Sequence, residues 1–122
     1  MLAKTPATIV QGERAVIRFL ITDLDTKLPF DLTAKDKFLA CIELASGSFL
    51  SITETPNANG SSFDKLGSSL LGQLELIIGP ADTNLLRLDE LLNIGYELDN
   101  ATTPDPLRRN IEKALFVEPF DC

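Results

Sequence analysis

The chain has 122 residues and carries 18 acidic against 11 basic side chains, a net charge of −7, with no histidine and no tryptophan. That charge argues against a nucleic-acid partner, because phosphates would be repelled unless a basic stripe gathered locally, and Arg108-Arg109 is the one basic pair. The absence of histidine removes Ser-His-Asp and Cys-His catalysis and the commonest metal ligand, while the length suits one domain over residues 1–122, burying roughly two thirds of its unfolded surface.

The start, MLAKTPATIV, lacks the continuous apolar core of a signal peptide, and no stretch approaches the length of a membrane span. The expectation is a chain made in a reducing cytoplasm with no membrane partner. Thr8 to Gln11 is β-prone and predicts an edge strand, closed by the turn Gly12-Glu13. From Arg14 to Thr22, Ala15, Ile17, Phe19 and Ile21 alternate onto one face while Arg14, Arg18 and Thr22 take the other, the period of a strand buried on one side. Asp23-Leu24-Asp25-Thr26-Lys27 then supplies side chains that bond to nearby backbone and favour a turn, and Pro29 makes Leu28 extended.

FLITDLDTKL, an apolar strand running into Asp-x-Asp, looks like the start of a haloacid-dehalogenase-type phosphatase, in which Asp23 would be the nucleophile and Asp25 the general acid/base. Thr26 and Lys27 depart from that pattern, no later acidic pair has the spacing for magnesium, and the chain is short for a doubly wound sheet. A calcium loop on Asp23, Asp25 and Asp31 fails too, because Lys27 stands at the fifth position, Leu28 at the sharp-turn glycine and Ala34 at the bidentate acid. The reading that remains is a solvated acidic turn.

Phe38, Ala40, Ile42 and Leu44 share one face of a second core strand, with Cys41 read as a small core residue; Cys41 and Cys122 form neither a disulfide framework nor a metal-ligand spacing. Ser46-Gly47-Ser48 is a turn and Phe49 to Thr53 its hairpin partner. Thr55 to Gly72, rich in Asn, Gly and Ser with an Asn59-Gly60 turn signal, reads as the longest loop. Its apolar Phe63, Leu66, Leu70 and Leu71 are the candidate protein-contact residues, packing onto their own sheet being the competing fate. Gln73 to Ile78 alternates as a strand, Gly79-Pro80-Ala81-Asp82-Thr83 carries helix-start chemistry, and Leu85, Leu88 and Leu92 continue at helical spacing. Tyr96 to Asp99 is strand, Thr103-Pro104-Asp105-Pro106 a turn, and Asn110 to Glu118 the closing strand, with Ile111, Leu115 and Val117 inward.

The pattern predicts an all-β fold, an antiparallel sandwich of about seven strands with one short bridging helix. Several phrases in order carry a resemblance: Gly12 before a strand, the acidic turn Thr22 to Lys27, Pro29-Phe30-Asp31-Leu32-Thr33 before the next, Gly72 opening Gln73 to Ile78, Ala81-Asp82-Thr83 with Leu85, Tyr96, and Arg109 to Val117. Together they resemble the immunoglobulin-like N-terminal domain of bacteriophage baseplate upper proteins and related tail modules, over most of the chain. The long Thr55 to Leu71 segment and the absence of a downstream receptor-binding or fibre region depart from it. The resemblance implies a non-enzymatic structural protein of a phage or prophage virion, made in the host cytoplasm and located in the tail or baseplate. It further implies a repeated subunit, a homo-oligomer in the assembled particle, contacting copies of itself and other virion proteins. No catalytic, cofactor-binding or metal residues follow from it. The alternative is a free-standing sandwich that binds a carbohydrate or a protein, although a sugar site normally offers exposed aromatic platforms and this chain has one Tyr.

Overall fold

The computed structural model describes residues 7–86, 94–111 and 115–118. Nine strands are found there: Ala7–Val10 (β1), Ala15–Leu20 (β2), Lys37–Glu43 (β3), Phe49–Thr53 (β4), Ser62–Lys65 (β5), Gln73–Ile78 (β6), Ile94–Asp99 (β7), Leu107–Asn110 (β8) and Leu115–Glu118 (β9). They form an antiparallel sheet ordered β2-β6-β5, a second ordered β4-β3-β7-β8, and a parallel pair of β1 with β9. With β2, β6 and β5 as strands B, E and D, and β4, β3, β7 and β8 as C′, C, F and G, this is the strand order of an immunoglobulin-like sandwich.

The alternation read from the sequence sets the inner faces. Ile17 and Ile21 are buried and Phe19 half-buried; opposite Ile17 and Phe19, Leu76 and Leu74 of β6 are fully buried, and Phe38, Ala40 and Ile42 of β3 meet Leu98, Tyr96 and Ile94 of β7. Between the sheets lies an aromatic group. The Phe63 ring sits 6.1 Å from Phe19, 6.2 Å from Phe38 and 6.0 Å from Tyr96, and Phe19 is 5.2 Å from Tyr96. These separations fall in the range where offset and edge-to-face rings attract beyond their buried area.

Three expectations are corrected, and the expected short helix is present. Thr55 to Gly72 is not one loop: it contains β5, which pairs antiparallel with β6, and a 3-10 turn at Ser69–Leu71. The closing strand divides, because Leu107–Asn110 pairs with β7 whereas Leu115–Glu118 pairs with β1, and it begins earlier than Asn110. Ile111 packs against the core, while the side chains of Leu115 and Val117 lie outside the described residues. Cys41 is only half-buried and faces outward, since Ala40 and Ile42 take the inner positions of β3; Cys122 is outside the described residues. The short helix (α1) stands where the sequence places its start, as the single turn Pro80–Thr83, after which Leu85 is exposed and Leu86 buried; positions Leu88 and Leu92 are outside the described residues.

A polar knot fastens α1 to the segment that leads into β5. The Asp82 carboxylate, in a residue only 2% exposed, accepts hydrogen bonds from Asn57 Nδ2 (3.1 Å), Asn59 Nδ2 (2.8 Å) and the Ser61 hydroxyl. Ser61 Oγ in turn accepts the Gly79 N–H at 2.8 Å, and Asn57 Oδ1 accepts the N–H groups of Asn59 and Ser61, each at 2.9 Å. Burial alone would push the Asp82 carboxyl up. The three side-chain donors, Ser61, Asn57 and Asn59, outweigh it and hold the group below its ordinary value.

Candidate functional site

The four candidate contact residues separate. Phe63 is fully buried in the aromatic group, so it is core and not contact surface: on β5 its neighbours Ser62 and Asp64 take the outward positions. Leu66, just after β5, is half-buried, and its N–H donates to Gln73 O at 2.8 Å. Leu70 and Leu71 are exposed on the 3-10 turn. Ser68 caps that turn by accepting the Leu70 N–H, and Gly72 ends it with φ 63°. A Cβ at Gly72 would lie 2.6 Å from Ile21 O and 2.9 Å from Phe30 N. The close approach available only to glycine presses the end of the turn onto the β2–β3 connection.

That connection brings further leucines to the same end of the sandwich. β2 finishes at Leu20, opposite Gln73 where β6 starts; Thr22 bridges Pro29, and Asp23 N donates to Leu28 O at 2.8 Å. Ile21 N donates to Gly72 O at 2.9 Å and Leu32 N to Ser69 O at 2.8 Å, so the β2–β3 connection and the 3-10 turn lie side by side. Leu20, Leu24, Leu28, Leu70 and Leu71 are each between 47% and 66% exposed there. Five of the eight large exposed hydrophobics among the described residues therefore occupy one end; the other three are Val16, Phe49 and Leu85. Leu20 and Leu24 also line a depression of about 420 Å³ with Phe19, Tyr96, Lys27 and Arg109, and Leu20 shares a second with Leu66.

The β2–β3 connection that carries Leu24 and Leu28 is braced by Asp23 and Asp31, and the neighbouring β7–β8 connection by Asp99, each capping its own turn. Asp23 Oδ1 accepts the N–H groups of Asp25 (2.9 Å) and Thr26 (3.2 Å), Asp31 Oδ1 accepts Thr33 N at 2.9 Å and the Thr33 hydroxyl, and Asp99 Oδ1 accepts Asn100 N and Asp105 N, both at 2.8 Å. These bonds depress all three carboxyls below the ordinary range: the backbone of Asp25 leads at Asp23, the Thr33 hydroxyl at Asp31 and the backbone of Asp105 at Asp99. Lys35, itself buried, reaches across to Asp105 O, and Arg109 Nη1 donates to Thr22 O at 2.9 Å. The apolar surface thus stands on ordered loops, which lowers the entropy lost when a partner docks.

No protein-family model matches the chain, and no curated protein matches it either.

Asp23 caps the turn through Asp25 and Thr26 at this end of the sandwich. Asp23→Ala, which removes the Oδ1 acceptor that asparagine would keep, is expected to leave the sandwich folded and to speed amide hydrogen exchange at Asp25 and Thr26, read by exchange mass spectrometry or NMR. Magnesium-dependent hydrolysis of phosphate esters by the wild type, abolished in Asp23→Asn without unfolding, would overturn this assignment.

Leu24 and Leu28 escaped the sequence reading because they sit inside an acidic turn, where charge and turn chemistry dominate. A leucine either side of Asp25-Thr26-Lys27, in a segment with nothing to bury against, was the available signal.

Proposed function

We propose that this chain is a non-enzymatic structural subunit of a bacteriophage or prophage tail or baseplate, repeated in the particle and working through protein–protein contacts made by its leucine-bearing end. The phage assignment rests on the sequence resemblance. The contact reading rests on one observation, the gathering of Leu20, Leu24, Leu28, Leu70 and Leu71 on braced loops at one end of the sandwich. Exposed apolar side chains gathered at one end in this way mark interaction sites in otherwise well-folded domains. Burying each leucine in an interface contributes about 1–2 kcal/mol, and several together offset the entropy of association. Symmetric rings or trimers are the usual way such subunits repeat. A carbohydrate platform has less support, since Phe19, Phe38, Phe63 and Tyr96 face one another between the sheets.

Two measurements test the two halves separately. Leu24→Ser and Leu70→Ser should each stay within about 0.5 kcal/mol of wild-type stability, yet each should weaken incorporation into particles about tenfold. Proteomics of particles induced from the chain's own host reads the outcome. Absence of the wild-type chain from particles that hold other tail proteins would sink the virion assignment; equal incorporation of both variants would sink this end as the contact surface.

A further inference from the structure

Asn59 is followed by Gly60, a sequence in which the glycine N–H meets little steric hindrance in reaching the asparagine side chain. Gly60 stands at a turn with φ 81°, and a Cβ there would meet nothing within 4 Å. Asn59 is an exposed residue, while its carboxamide is directed back into the knot, Nδ2 donating to Asp82 Oδ1 at 2.8 Å. The would-be nucleophile is engaged as well, because Gly60 N donates to Asn57 O at 3.1 Å. Both reacting groups are therefore held by hydrogen bonds in the folded chain.

We propose that Asn59 is a latent deamidation site, held closed by the Asp82 knot, whose conversion to aspartate releases the segment before β5 from α1. In the reaction the Gly60 nitrogen gives up its proton to hydroxide and attacks Asn59 Cγ, forming a cyclic imide as ammonia leaves with Nδ2. Water then opens the ring to aspartate or isoaspartate. Overall one carboxamide and one water become a carboxylate and ammonium, with no oxidant or other reagent. The product exchanges a donor for an anion at the atom that lay 2.8 Å from the Asp82 carboxylate, whose side-chain partners are the neutral groups of Asn57, Asn59 and Ser61. Two carboxylates so placed repel; holding them together requires one to take up a proton at a raised pKa, and near neutral or alkaline pH the segment instead relieves the repulsion by leaving α1. Opening then frees Asn57 and Ser61 too, and the loss of ammonia makes the change irreversible.

The test follows residue 59 by peptide mass mapping at mildly alkaline pH in three samples: the folded chain, a peptide covering residues 55–65, and folded Ser61→Ala, in which one strand of the knot is cut. The peptide is expected to convert, the folded wild type at least about tenfold more slowly, in proportion to the rarity of local opening, and Ser61→Ala in between. Asn59→Asp is expected to melt about 10 °C below wild type, and Asn59→Ser, which removes the donor without adding charge, to lose clearly less. If Asn59→Asp cannot be purified folded, converted wild type separated by ion exchange gives the same comparison. Conversion of the folded chain as fast as the peptide, no conversion in the peptide, or equal melting of the Asp and Ser variants would each overturn the proposal.

Discussion

Gly79→Ala should be among the most damaging single-methyl additions in this protein. A Cβ at Gly79 would stand 1.7 Å from Asn59 O and 2.8 Å from Asn59 C, so a main-chain carbonyl would have to move by more than an ångström. Gly79 itself is in ordinary extended backbone, φ −68° and ψ 162°, which alanine adopts without strain, so the penalty is purely steric. The carbonyl cannot move alone. Asn59 and Ser61 are tied to Asp82, and Ser61 Oγ also takes the Gly79 N–H, so yielding to the methyl breaks the knot. Overpacking combined with the lost hydrogen bonds points to about 3–5 kcal/mol, or a Tm lower by about 10–20 °C in a domain of this size. Gly47→Ala is the informative control. Gly47 has φ 90° with nothing within 4 Å of its Cβ position, so its cost is conformational only, about 1–2 kcal/mol. Thermal melts of the two variants separate the steric from the conformational effect; equal losses would show that the segment before β5 yields freely.

The difference between these two glycines also marks the limit of what the sequence discloses. Strands β2, β3 and β6 were legible because each has one face of large apolar residues and a partly polar other face, so a local period reports a global fact, which side meets the opposite sheet. β5 was not, because Ser62-Phe63-Asp64-Lys65 holds a single inward residue, and one residue has no period. Phe63 therefore passed for a loop hydrophobic when it is a centre of the aromatic group. The same reason divides the candidate site. Leu70 and Leu71 were identified by being apolar in a polar stretch, but their lying at the same end as Leu24 and Leu28 depends on Leu32 N finding Ser69 O and Ile21 N finding Gly72 O, pairings made across the fold. Asp82 was visible only as helix-start chemistry. Its role as acceptor for Asn57, Asn59 and Ser61, more than twenty residues earlier, is carried by the topology that returns β6 beside β5.

Asp82→Ala is expected to lower stability by about 3 kcal/mol near neutral pH, because it strands the buried Ser61 hydroxyl and removes the charged acceptor of the Asn57 and Asn59 carboxamides. The loss should depend on pH in a defined direction. The folded-state pKa of Asp82 lies below its ordinary value, since the donors of Ser61, Asn57 and Asn59 prevail over the burial that opposes them. A depressed carboxyl binds fewer protons folded than unfolded, so its contribution is complete above the unfolded pKa of about 3.9 and declines as pH falls below that value toward the folded one. Asp23, Asp31 and Asp99 are depressed as well and weaken both proteins in acid. The quantity to measure is therefore the difference between wild type and Asp82→Ala, from denaturant unfolding at a series of pH values. That difference should stay constant from neutral pH down to about pH 5 and shrink below about pH 4. A gap that widens in acid would mean that Asp82 is protonated in the folded chain and that burial, not its three donors, governs the site.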